Sequence, residues 1–85
     1  MGTKLKPGKF DCHANALPDE PMFILLARDP QFAELVRKWA QRRTLDIQCG
    51  VCPESDYEMV EEALKCAQDG ARWRKDNMNK WRLTP

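Results

Sequence analysis

Asp29-Pro-Gln-Phe-Ala-Glu-Leu-Val-Arg-Lys-Trp-Ala40 decides the fold. Asp29 can cap a helix, and Pro30 suits a first helical position because the missing N–H would have no partner there. Phe32, Leu35, Val36, Trp39 and Ala40 then recur at i, i+3, i+4, i+7 and i+8, which paints one apolar stripe on a cylinder. Glu34, Arg37, Lys38 and Gln41 fall on the opposite side. Basic Arg42 and Arg43 meet the negative end of the helix dipole, so the spacing predicts a helix over about 30–43.

Downstream, Ser55-Asp-Tyr-Glu58 reads as a capping box, serine to an orphan N–H and glutamate back to the cap. Two overlapping stripes follow: Val60, Leu64, Ala67 and Ala71, then Met59, Ala63, Cys66, Gly70 and Trp73. A wide face with small residues at its centre suits close approach of another helix. Gly70 costs a helix about 1 kcal/mol relative to alanine, which gives it a packing role. The second helix is expected over 55–77. The short link 45–53 makes an antiparallel hairpin natural, with Leu35, Val36 and Trp39 packed against Val60, Leu64 and Ala67. Upstream, Met22–Ala27 is a six-residue apolar run, expected to lie as a short extended or β segment across that hairpin. The reading is therefore a mainly α, single small domain over 1–85. Residues 1–9 and 79–85 have little to bury and are expected to be flexible.

Composition narrows the function. Over 85 residues the net charge is +1, with 42% hydrophobic and 32% charged residues, which fits a globular chain with no bulk pull toward nucleic acid or membrane. The charge is blocked: +3 over 1–10, −4 over 11–36, +4 over 37–43, −6 over 44–69 and +4 over 70–85. Each expected helix thus starts acidic and ends basic, as its dipole favours. No apolar run approaches the roughly 18 residues of a membrane span. Lys4, Lys6 and Lys9 lack the apolar stretch of a secretory signal behind them, so a cytoplasmic setting with reduced cysteines is expected.

Cys49-Gly-Val-Cys52 carries the most chemistry. Two cysteines separated by two residues form a knuckle that supplies two of zinc's four tetrahedral ligands. Cys66 lies about 15 Å into the second helix on a 1.5 Å rise, too far to join them, whereas Cys12 or His13 could fold back to complete the set. Two further readings stay open: small buried thiols without metal, and a redox pair at a helix N-terminus that lowers a cysteine pKa. His13 lacks the surroundings of a triad, and no phosphate loop, HExxH or paired-carboxylate motif occurs, so no enzyme is expected. Arg72-Trp73-Arg74-Lys75 and Lys80-Trp81-Arg82 interleave aromatic and basic groups, as stacking and phosphate contacts require. Thirteen acidic residues weigh against nucleic acid as a partner.

Leu17-Pro-Asp-Glu-Pro-Met-Phe-Ile-Leu-Leu-Ala-Arg-Asp-Pro30, with Val36-x-x-Trp39-Ala40 and Glu62-Ala63-x-x-x-Ala67, resembles a group of small uncharacterised bacteriophage and prophage proteins across roughly residues 13–74. The resemblance implies a phage product in a bacterial cytoplasm and, by analogy, a non-enzymatic interaction protein acting on a host protein. The alternative expectation is a zinc-stapled nucleic-acid-binding module. Trp73, Trp81, Met78 and part of Met22–Leu26 exceed what two helices cover, so a homodimer through Ala63, Ala67, Gly70 and Ala71 is expected.

Overall fold

A computed structural model of the chain describes residues 1–81, with side chains described through Asn79. Of the stretch 79–85, residues 82–85 lie outside the described residues. The elements are a one-turn helix α1 (Cys12–Asn15), α2 (Phe32–Gln48), a 3-10 turn (Glu54–Asp56), α3 (Tyr57–Asp76) and a last turn α4 (Met78–Trp81). The fold is mainly helical, and its two long helices pack together.

Phe32 at the start of α2 meets Gly70 near the end of α3, and Ile47 at the end of α2 clusters with Val60 near the start of α3. That pairing makes the hairpin antiparallel. The buried line on α2 is Phe32, Ala40 and Ile47; on α3 it is Val60, Ala63, Ala67 and Gly70. The α3 positions follow a three-four spacing, the narrow seam of a coiled coil. Ala63 and Ala67 are 0% exposed and Ala40 is 1% exposed. A β-carbon on Gly70 would lie 2.8 Å from Phe32 Cδ1, so the ring occupies the notch that glycine leaves.

The seam keeps Phe32, Ala40, Val60 and Ala67 of the expected stripes and leaves out Leu35, Trp39 and Leu64. Leu35 is 42% exposed, Trp39 37% and Leu64 45%, and Val36 is half-buried. The small residues decided the rotation. Alanine and glycine let two backbones approach, and large side chains in the same line would hold them apart. Trp39 instead stacks with Arg43, whose guanidinium carbon sits 5.1 Å from the ring centroid. Arg43 Nη1 in turn donates to Asp56 Oδ2 at 3.0 Å, tying α2 to the 3-10 turn that opens α3.

Both helix starts differ from expectation, and so does the end of α2. Asp29 Oδ1 accepts from the Gln31 N–H at 2.8 Å and its carbonyl accepts from Phe32 at 3.1 Å. This turn holds Pro30 outside α2, which begins at Phe32. The helix then runs past Arg43 to Gln48, because Thr44 bonds back to the Ala40 carbonyl at 2.8 Å and Ile47 supplies another buried contact. It stops at Gly50, whose φ of +80° is the left-handed conformation that glycine adopts without a β-carbon clash. Gly50 N–H bonds the Ile47 carbonyl at 3.1 Å and Val51 N–H bonds the Asp46 carbonyl at 2.8 Å, the two bonds of a Schellman stop. The capping box is absent: Ser55 lies inside the 3-10 turn, Asp56 at the cap makes no side-chain cap bond, and Glu58 is engaged by Lys9 Nζ at 2.7 Å.

Residues 22–27 form no strand; among the described residues there is none. The run is irregular chain with Met22, Phe23, Ile24 and Leu26 more than half exposed. Leu25 is half-buried, and at the end of the run Ala27 Cβ comes within 3.4 Å of a β-carbon built on Gly70. Two helices leave no open strand for this run to pair with, and Phe32 already fills the notch it would have crossed.

Residues 1–10 meet α3 through two carboxylates, Glu58 at the Lys9 ammonium and, with more contacts, Glu62. Glu62 Oε1 accepts from the Lys9 N–H at 2.8 Å, and Oε2 accepts from the Phe10 N–H at 3.0 Å and from the Met1 ammonium at 3.2 Å. Gly8, at φ +82° with Glu62 Oε1 against it, makes the tight approach. Burial would raise the Glu62 pKa, but the Lys9 and Phe10 N–H groups and the Met1 charge outweigh it and hold the carboxyl below its ordinary 4.5. A carboxylate depressed in the folded state stabilises fully above its unfolded pKa, and that contribution fades as pH falls through the folded value. Glu62→Gln should therefore melt below the wild type at pH 7, with the gap in Tm narrowing steadily below pH 4.5. A gap that stays constant down to pH 2.5 would refute the clamp.

Candidate functional site

A chain that leaves large apolar side chains in water is spending solubility on something. Here such side chains crowd one stretch of sequence, Leu17 and then Met22–Leu26, within which Leu25 is half-buried. Leu17 is 66% exposed, Met22 51%, Phe23 86%, Ile24 63% and Leu26 51%. Turns bracket the run: Glu20 N–H bonds the Leu17 carbonyl at 3.1 Å, and Asp29 N–H bonds the Leu26 carbonyl at 2.9 Å. Pro18 and Pro21 fall between, and each removes a donor and fixes φ, so the run is held as chain instead of joining a helix. A separate shallow groove on the hairpin is lined by Ala40, Gln41, Thr44, Leu45 and Leu64. Its apolar walls are Leu45 and Leu64, both near half exposure.

The four candidate metal ligands occupy two places. Cys12 and His13 are exposed on α1, where Asp11 Oδ1 accepts from the His13 N–H at 3.1 Å. Cys49 caps α2 in the open, while Cys52 is half-buried against Ala40, Ile47 and Val60. Among the described residues, no three His, Cys, Asp or Glu side chains gather as ligands of one ion. The local structure gives the Cys-Gly-Val-Cys spacing a second reason: Gly50 is the helix stop, and Cys52 N–H bonds the Asp46 carbonyl at 3.1 Å. Cys66 stands apart on α3, half-buried, and burial pushes its thiol pKa up.

The basic-aromatic set on α3 is dispersed. Arg72 and Lys75 are exposed, Trp73 is 38% exposed and Arg74 is half-buried. The side chains of Lys80 and Trp81, and all of Arg82, lie outside the described residues. The small-residue stripe is not a free surface either. Ala63, Ala67 and Gly70 are consumed inside the hairpin, and only Ala71 of that set is exposed. Three of the four residues expected at a dimer face are thus occupied within one chain. The Glu62 clamp was invisible in the sequence because its donors are main-chain N–H groups, which every residue but proline carries.

Among the described residues no helix is long and apolar enough to cross a membrane. Comparisons with protein families, with curated proteins and with solved structures find no match to this chain.

Proposed function

We propose that this chain is a small non-enzymatic interaction protein of phage type, acting in a bacterial host cytoplasm by docking its 17–26 run on a host protein. One observation carries the reading: Phe23 is 86% exposed with Ile24 beside it at 63%, in a run that bracketing turns hold outside the helical core. Burying an exposed phenylalanine and isoleucine in a partner's pocket contributes about 1.5–3 kcal/mol each, the scale of an interface hot spot. The flanking Asp19, Glu20 and Arg28 supply a charged rim around that apolar centre.

Substitution of both residues, Phe23→Asp with Ile24→Asp, tests this. Neither side chain supports the hairpin, so Tm should move by no more than the few tenths of a kcal/mol usual for surface changes. A photo-crosslinking residue at position 23, expressed in bacterial cells, should give a discrete adduct with one host protein. Binding of that purified protein should weaken at least 100-fold in the doubly substituted chain. Unchanged affinity, or crosslinks spread over abundant proteins without a dominant adduct, would defeat the reading.

A further inference from the structure

We infer that the hairpin tip is half of a zinc site, completed by the same tip of a second copy. The inference rests on the placement of Cys49 and Cys52 and is independent of the 17–26 run. Zinc in a structural site takes four ligands in a tetrahedron, with cysteine sulfur the most frequent donor. The tip of this hairpin carries a thiol on each side of a glycine turn, Cys49 in the open and Cys52 against the edge of the Ala40, Ile47 and Val60 cluster. Cys49 is exposed, Val51 between them is 74% exposed, and Cys52 lies half-buried beside them.

The chain's own candidates for the remaining two places are elsewhere. Cys12 and His13 sit on α1, in the segment that follows the Glu62 clamp, and no third ligand joins the tip among the described residues. A knuckle that cannot close within one chain closes by doubling, because two copies bring two ligands each. A two-fold axis through the metal makes the contact self-complementary.

Three properties of the tip suit that assembly. Gln48-Cys-Gly-Val-Cys-Pro53 contains no charged residue, so two tips meet without like-charge repulsion. The Gly50, Val51 and Cys52 N–H groups are already bonded to the Ile47 and Asp46 carbonyls, so the turn is rigid before metal arrives and little ordering cost remains. The exposed Val51 pair would flank the metal and exclude water from the sulfurs. Binding converts each thiol to a thiolate and releases its proton to solvent.

The test uses the untagged full chain. Titrated with zinc at neutral pH, it should bind 0.5 equivalents per chain, and light scattering should report a doubled mass that a strong chelator returns to 9.9 kDa. Cobalt in place of zinc should give the thiolate charge-transfer spectrum of a four-sulfur tetrahedral site. Cys49→Ser should abolish both metal binding and doubling while leaving helical circular dichroism and Tm intact, since that thiol is exposed. Cys52→Ser should abolish them too, with a lowered Tm because Cys52 packs against Ala40, Ile47 and Val60. Cys12→Ser and His13→Ala should leave the stoichiometry at one half. One equivalent per monomer, loss of zinc on changing Cys12 or His13, or no binding at micromolar free zinc would each overturn the inference.

Discussion

Phe32→Ala is expected to lower stability by about 3–5 kcal/mol, the usual cost of emptying a buried phenylalanine site. Chains of this size hold only about 4–13 kcal/mol in total at 0.05–0.15 kcal/mol per residue, so the variant should be partly unfolded at 37 °C. The ring is 8% exposed and is the largest side chain on the buried line. Its partner is an absence: Gly70, where a β-carbon would lie 2.8 Å from Cδ1. The pair should therefore couple. Gly70→Ala alone forces the ring to move, but in the Phe32→Ala background it fills vacated space and recovers helix propensity of about 1 kcal/mol. In a double-mutant cycle read by urea denaturation, the double variant should be more stable than additivity predicts. Strict additivity would mean that ring and glycine do not meet.

The second large effect separates two adjacent residues. Ala63→Asp should unfold the chain at neutral pH, because a carboxylate placed at a 0% exposed position has neither water nor a partner and costs several kcal/mol. Leu64→Ala, one residue further, should cost under about 1.5 kcal/mol, since the side chain is already 45% exposed and leaves no closed cavity. Hydrophobicity alone ranks these sites the other way, with the leucine as the core residue. Thermal melts of the two variants beside the wild type decide it. A larger loss for Leu64→Ala would put the seam on the wrong face of α3.

The contrast at 63 and 64 marks where the sequence was legible. The two helices could be read from periodicity and the antiparallel hairpin from the short link, and Gly70 announced a packing role by being costly where it stood. Which stripe formed the seam could not be read from apolar size, because the Ala40–Ala63–Ala67–Gly70 line gains by backbone approach, a quantity no single residue displays. The true end of α2 is signalled at Gly50, but the same glycine suits a cysteine knuckle, and Arg42 and Arg43 carry the basic charge of a helix terminus. Arg43 instead binds Asp56. The capping box failed because a 3-10 turn takes in Ser55 and leaves Asp56 at the cap. The apolar run at 22–27 was legible as apolar, but its exposure depends on Phe32 having taken the notch first.

The seam of small residues also sets how this molecule answers heat. Among the described residues no large side chain is completely removed from water, so unfolding hydrates little new apolar surface, and the heat-capacity step it produces is correspondingly small. A small enthalpy of unfolding spreads the calorimetric peak over a wide span of temperature. Such a chain sheds structure gradually on warming, without a sharp collapse. Any occupant that recognises only the folded form then raises the surviving fraction by mass action. The level of intact hairpin in a cell would thus follow the supply of its binder, making abundance itself a record of engagement.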